Sequence, residues 1–156
     1  MNATPNPPAV IDADAFSVSR TISIAASPER VWAAITEPEL IAKWAGSHAT
    51  IDRVEVGGSG TWTFEGYGTV PLVIEAIDPP HSISYRWGNM TSPDIDPVVS
   101  TVFRFTLVPA DGGTQLTVVE SGFQNLEDPF SRMEDNRGGW TSELDELVAY
   151  LEGDAS

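Results

Sequence analysis

The C-terminal segment carries the pattern that most constrains the fold of this chain. Four large apolar residues recur there at spacings of four, three and four: Trp140, Leu144, Leu147 and Leu151. This spacing places them on one face of an α-helix. Burial of one such side chain is worth roughly 2 kcal/mol, so the face must pack against another element. We predict a helix that begins at an Asp135 or Asn136 cap and closes at Gly153.

A succession of strand-like segments precedes this helix and supplies its packing partner. Alternation of apolar and polar residues predicts strands that bury one face, and turn residues separate them. The predicted strands are 17–24, 51–56, 61–65, 70–77, 82–87, 99–108 and 114–122. The connections between most of them are short, which favours antiparallel pairing, and a tight hairpin turn is expected at 57–60.

Two short helices are predicted directly after the first strand. Ser27 can cap a helix that has Pro28 at its first position. Pro38 ends that helix and can start a second one over 38–44, which stops at Gly46.

These elements together predict an α+β domain. A curved antiparallel sheet of six to seven strands surrounds the long C-terminal helix, and the two short helices follow the first strand. One helix cannot fill the concave side of such a sheet, so we expect a cavity there; a filled core is the alternative. The single domain is expected at 16–153, and the proline-rich, aperiodic segment 1–15 predicts a disordered tail.

Charge and composition exclude several classes of function. The formal net charge of −15 disfavours binding to nucleic acids and anionic lipid surfaces. The chain has no cysteine, and His48 and His81 lie far apart, so we expect no disulfide, metal or cofactor. It has no apolar run of the ~20 residues that span a membrane, and its N-terminus does not resemble a secretory signal. The predicted location is cytoplasmic, and a homodimer is left open.

Several short motifs resemble a known family in their order and spacing. Residues 20–36 resemble the opening of the SRPBCC superfamily, also called START-like or birch-pollen-allergen-like. Further motifs resemble its branch named after the activator of the heat shock protein 90 ATPase: residues 41–44, 56–58, 77–80, 113–117, 121–123 and 139–140. The resemblance spans 17–151 and implies a helix-grip fold with a cavity under the last helix. It does not imply one function, because relatives include hydrophobic-ligand carriers, polyketide cyclases, hydrolase-like enzymes and chaperone regulators.

The candidate ligand contacts are aromatic. Six lie on the predicted inner face of the sheet: Trp62, Phe64, Tyr85, Trp87, Phe103 and Phe105. Trp44 and Trp140 are expected to flank the entrance of the cavity. The alternative for all of them is an ordinary packed core.

Glu120 is the polar candidate of the same cavity. By alternation it shares the inward face of its strand with Leu116 and Val118. Burial disfavours the charged form of a carboxylate, so Glu120 could act as a general acid or base or anchor a ligand hydroxyl. The alternative is that it lies in water at the end of the strand.

Three functions fit this cavity. The first is binding of a small hydrophobic or amphipathic molecule, and the second is an enzyme of the polyketide cyclase or dehydratase type. The third, regulation of a chaperone ATPase, is the least favoured, because the eukaryotic regulator resembles this chain only in its second domain. One polar group in the cavity favours binding, whereas two or more in mutual reach favour catalysis. Whether the chain is an enzyme is therefore left open.

Overall fold

The structure, a computed structural model, describes residues 6–64, 66–89, 92 and 94–153. Within this part of the chain eight strands form one sheet. The strands are β1 (Val10–Asp12), β2 (Ser17–Ile24), β3 (His48–Ile51), β4 (Ser59–Phe64), β5 (Gly68–Asp78), β6 (Ser82–Trp87), β7 (Thr101–Ala110) and β8 (Gly113–Ser121). The helices are α1 (Pro28–Thr36), α2 (Pro38–Trp44) and α3 (Pro129–Gly153), with a 3-10 turn at Phe123–Asn125.

The sheet is antiparallel throughout and is covered by α3 on one face. Its strand order is β1-β2-β8-β7-β6-β5-β4-β3. Along β7, Phe103 and Phe105 are buried while Arg104 between them is exposed, as alternation requires. The apolar stripe of α3 is buried as well, with Leu144 and Leu147 at 0% exposure. The predicted α+β helix-grip architecture is confirmed.

The two short helices begin as predicted. The Ser27 hydroxyl accepts a hydrogen bond from the Arg30 backbone N–H at 3.3 Å, and Pro28 occupies the first helical position. After α2 the chain turns at Gly46, where φ is +68°. A side chain there would also lie 2.2 Å from the Thr63 carbonyl oxygen, so only glycine lets this turn approach β4.

The sheet differs from the prediction at one edge and in its strand count, which is eight rather than six to seven. The strand predicted at 51–56 lies at His48–Ile51, and the hairpin turn predicted at 57–60 is displaced to 52–58. Gly60 belongs to β4 and pairs with Ile51. A Cβ atom at Gly60 would lie 1.7 Å from the Thr50 carbonyl oxygen, so this glycine permits close approach of the strands.

Helix α3 is longer than predicted at its N-terminal end. It begins at Pro129, so the predicted cap at Asp135 or Asn136 is wrong, and residues 129–135 belong to the helix. Met133, which lies in this added part, is fully buried. The predicted end at Gly153 is confirmed.

The N-terminal segment also differs from the predicted tail at 1–15. Strand β1 pairs with β2 at the edge of the sheet. Ala9, just before β1, is 2% exposed, and its backbone N–H donates to the Thr141 hydroxyl of α3 at 3.0 Å. Residues 1–5 of the predicted tail lie outside the described residues.

A buried arginine ties this segment to α3. Arg20 of β2 is 3% exposed, on the same face as the core. Its Nε donates to the Pro7 carbonyl at 2.7 Å and its Nη1 to the Thr141 carbonyl at 2.8 Å. Its Nη2 forms an ion pair with Asp145 at 2.7 Å. One guanidinium therefore joins three segments of the chain, and each nitrogen has an acceptor.

We expect a chain that begins at Ala15 to be less stable than the full chain. It loses β1 and the Pro7 acceptor of the buried Arg20 guanidinium. A hydrogen bond to a charged group is worth about 1.5–3 kcal/mol, so we expect a loss of about 2 kcal/mol. For a chain of this size that lowers the midpoint of thermal unfolding by about 4–8 °C. Removal of residues 1–5 alone keeps every contact named above and is the control. A shortened chain that melts within about 1 °C of the full chain would show that these contacts add nothing.

Candidate functional site

A cavity of about 920 Å³ lies between the sheet and α3. This volume is in the range of pockets that hold small molecules. Eight apolar or aromatic side chains line it, five of them aromatic: Trp62, Phe64, Tyr67, Val70, Trp87, Val99, Leu126 and Trp140. Polar side chains of α3 and of the loops beside β6 and β7 complete the wall.

The aromatic residues form one continuous surface. Trp87 and Trp140 stack with their ring centroids 5.9 Å apart, and Trp62 and Phe64 stack at 5.7 Å. Trp62 and Trp87 join the two pairs at 5.8 Å. These distances are within the range of favourable aromatic contacts, so the surface is held by ring packing as well as by apolar burial.

Glu120 lies one layer behind this surface, and its carboxylate receives four hydrogen bonds. The Oε1 atom accepts from the Trp140 indole N–H and from the Asn136 amide, both at 2.9 Å. The Oε2 atom accepts from the Trp87 indole N–H at 2.9 Å and from the Thr101 hydroxyl. Glu120 itself is 0% exposed. A carboxylate has about four lone-pair positions, so all of them are occupied by these donors.

This arrangement decides what the cavity presents to a ligand. The four donors to Glu120 all line the cavity, whereas Glu120 is not among the lining residues. Both indole N–H groups of Trp87 and Trp140 therefore point away from the cavity. The surface formed by Trp62, Phe64, Trp87 and Trp140, here called the aromatic wall, therefore presents carbon atoms to a ligand. Polar contacts come from residues at the edge of the cavity, its rim.

The rim is formed by one face of α3. Its polar members are Arg132, Asp135, Asn136, Ser142 and Glu143. The pKa of the Glu143 carboxyl is raised by burial and by the nearby charge of Glu146, while a hydrogen bond from the Gly46 backbone N–H opposes the shift. The apolar stripe of α3 predicted only which face packs on the sheet, so this polar face was not predicted as part of the site. The recurrence of polar residues at 132, 135–136 and 142–143, a helical spacing, is the signal that could have found it.

The predicted contacts divide into two groups. Trp62, Phe64, Trp87 and Trp140 line the cavity, as expected for ligand contacts. The others do not line it: Trp44, Tyr85, Phe103, Phe105 and Glu120. A ligand contact at any of the nine stays a prediction.

The residues that do not line the cavity are bound into the core instead. The Trp44 indole N–H donates to the Ala34 carbonyl of α1 at 2.8 Å. The Tyr85 hydroxyl donates to the Ile35 carbonyl at 2.7 Å, and burial raises the pKa of this phenol well above its usual value. Tyr85 therefore fastens α1 to the sheet, and Trp44 fastens α2 to α1. Alternation identified an inner face but could not separate its cavity-lining end from its core end.

No helix in the described ranges has the length and apolar character needed to cross a membrane. The cytoplasmic location stays a prediction.

Several solved structures share this architecture. Protein MLL2253 from Mesorhizobium loti is 26% identical, with a TM-score of 0.73 and coverage of 87% of this chain and 96% of that one. The Aha1 dimer from Colwellia psychrerythraea is 21% identical, with a TM-score of 0.71 and the same coverage. DynU16, a protein in the dynemicin biosynthetic locus, is 24% identical, with a TM-score of 0.70. The match covers 87% of this chain but 47% of DynU16. The last two show a shared fold alone.

Sequence comparison gives the family. No curated protein matches the chain closely enough to be counted as a relative. The family described as "Activator of Hsp90 ATPase homolog 1-like protein" matches residues 25–152, which is most of the chain. The motifs in the sequence resembled this branch of the SRPBCC superfamily, and the chain belongs to the family of Activator of Hsp90 ATPase homolog 1-like proteins.

Proposed function

We propose that this protein binds a small hydrophobic or amphipathic molecule in the cavity between the sheet and α3. The observation that carries the proposal is the aromatic wall, in which Trp87 and Trp140 turn their N–H groups towards Glu120 and their carbon surfaces towards the cavity. An apolar pocket with a few polar groups at its edge suits a ligand with an apolar body and one polar end.

The polar groups favour binding over catalysis. Glu120, which the sequence nominated as an acid or base, has every lone-pair position occupied and is fully buried. On the rim, Asp135 and Glu143 are eight residues apart on α3. That separation corresponds to about 12 Å along a helix, so the two carboxylates do not act on one atom.

An enzyme of the polyketide cyclase or dehydratase type is the second candidate. The observation that favours it is Glu143, a half-buried carboxyl in the cavity wall whose pKa is raised. General acid–base catalysis uses groups of this kind. Turnover of a supplied substrate that Glu143→Gln abolishes would support this candidate over simple binding.

A homodimer also stays a proposal. The structure from Colwellia psychrerythraea is described as a dimer, and this chain shares its fold.

The binding proposal is tested with N-phenyl-1-naphthylamine, an uncharged fluorescent probe. We expect saturable binding, with quenching of tryptophan emission because three tryptophans line the cavity. Gly139→Leu is expected to weaken probe binding at least tenfold. Gly139 lines the cavity, and a Cβ atom there meets no described atom within 4 Å, so the helix accepts the side chain while it occupies the cavity.

Gly138→Leu is the matched control. Gly138 is the neighbouring helical residue, its Cβ atom also meets no described atom within 4 Å, and it does not line the cavity. Both changes replace glycine in a helix and are expected to stabilise α3 equally, by about 0.8–1 kcal/mol. Equal affinities for the two variants would place the probe elsewhere, and no saturable binding to the folded protein would contradict the proposal.

A further inference from the structure

We infer that the cavity selects amphiphiles whose polar end is a protonated amine and discriminates against carboxylates and phosphates. The inference rests on the proposed binding function and adds the charge of the ligand to it. Three features carry it: the hydrogen-bond state of the aromatic wall, the charges on the rim and the chemistry of the rings.

The aromatic wall has no indole N–H to offer an anion. A charged group that leaves water needs hydrogen-bond partners to offset its desolvation. The N–H groups of Trp87 and Trp140, the Thr101 hydroxyl and one N–H of the Asn136 amide donate to Glu120. A ligand carboxylate could recruit them only by competing with a carboxylate that already holds them.

The charges on the rim are unequal. Asp135 and Glu143 each carry a carboxylate, and Arg132 is the cationic residue among the described lining residues. Arg132 is exposed, whereas Glu143 is half-buried and acts through less water. The chain as a whole carries −15, so the field at the cavity attracts cations and repels anions.

The rings themselves favour a cation. The face of an aromatic ring is negative, and tryptophan binds cations more strongly than tyrosine or phenylalanine does. Three tryptophans, one phenylalanine and one exposed tyrosine line this cavity: Trp62, Trp87, Trp140, Phe64 and Tyr67. A protonated amine near these ring faces and Glu143 is attracted by both, while the apolar body of the ligand packs on the rings.

The test compares three ligands that share one naphthalene ring: 1-naphthylmethylamine, 1-naphthylmethanol and 1-naphthoate. Each displaces N-phenyl-1-naphthylamine from the full chain at pH 7. We expect the amine to bind at least tenfold more tightly than the acid, with the alcohol between them. The ratio of amine affinity to acid affinity should fall as the salt concentration rises from 20 to 200 mM, because salt screens charge.

Three variants locate the source of the preference. Glu143→Gln is expected to lower the amine-to-acid affinity ratio at least threefold. Asp111→Asn changes the net charge by the same amount at an exposed residue in the turn between β7 and β8, and should leave the ratio unchanged. Arg132→Gln should raise the amine-to-acid ratio, because it removes the positive charge that Arg132 places on the rim.

The outcomes separate this inference from the binding proposal. Acid binding as tight as amine binding would overturn the inference while saturable probe binding still supports the proposed function. A ratio that falls equally in Glu143→Gln and Asp111→Asn would also overturn it, because the preference would then come from net charge alone. Failure of the uncharged probe to bind would overturn the proposed function and this inference with it.

Discussion

Replacing Glu120 with leucine is expected to lower the free energy of unfolding by about 2–6 kcal/mol. The buried Trp140 indole N–H and the buried Thr101 hydroxyl lose their carboxylate acceptor. A buried donor without an acceptor costs about 1–3 kcal/mol, and two of them give this range. Trp87 keeps a second acceptor, the Thr101 hydroxyl oxygen at 2.8 Å, and adds little. Urea denaturation followed by circular dichroism measures the loss.

Glu120→Gln is the matched control for this prediction. The glutamine oxygen can still accept from Trp140 and Asn136, while its amide can donate to the Thr101 hydroxyl oxygen. We expect a loss of about 1 kcal/mol or less, the size of one exchanged hydrogen bond. If leucine is tolerated as well as glutamine, the four hydrogen bonds do not hold the aromatic wall. If glutamine costs as much as leucine, the charge of the carboxylate matters more than its acceptor geometry.

Leu147→Ala is expected to cost about 2–5 kcal/mol. Leu147 is 0% exposed and lies in the stripe that packs α3 on the sheet. Truncation of a buried leucine removes its transfer free energy and leaves a cavity that the surroundings fill only in part. Chemical denaturation at a fixed temperature measures the change. A loss below about 0.5 kcal/mol would show that this face of the helix is in contact with water.

Leu147→Met is the control for the leucine stripe. Methionine nearly conserves the volume and adapts its shape, so we expect a loss below about 1.5 kcal/mol. Similar losses for alanine and methionine would mean that branching at this position, rather than filled volume, determines stability.

Local patterns predicted the main elements because each pattern belongs to one element. The stripe from Trp140 to Leu151 placed α3 on the sheet, and Pro28 and Pro38 placed the starts of α1 and α2. The start of α3 was missed because residues 123–135 show no apolar period. That part of the helix is held by the buried Met133 and by the contact of the Phe130 ring with Phe16 at 5.5 Å, which no local pattern reports.

The candidate site was predicted in part for a related reason. Alternation placed Glu120 on the inner face of β8, and the structure confirms that burial. Its relation to a ligand depends on which side chains cover it, and Trp140 and Asn136 do so from α3. Alternation reports a face of a strand but not the depth of a residue beneath its neighbours.

Tertiary structure alone decided the N-terminal edge of the sheet. Residues 10–12 have too short an alternation to predict a strand, yet they pair with β2 beside the buried Arg20. Arg20 alternates in phase with Val18 and Ile22, so the sequence pattern predicts its inward position. Its acceptors come from Pro7, Thr141 and Asp145, which only the packed chain brings together.

The sequence by itself determined the helix-grip fold, because apolar periodicity states which face of each helix and strand must leave water. It also determined that the inner face is aromatic. Tertiary structure decided which end of that face borders a cavity and which end is core. It also brought Trp87, Thr101, Asn136 and Trp140 around Glu120, from positions between 16 and 33 residues away. Hydrogen bonds between residues so far apart depend on how α3 packs on the sheet. Apolar patterns do not specify which polar side chains that packing brings together.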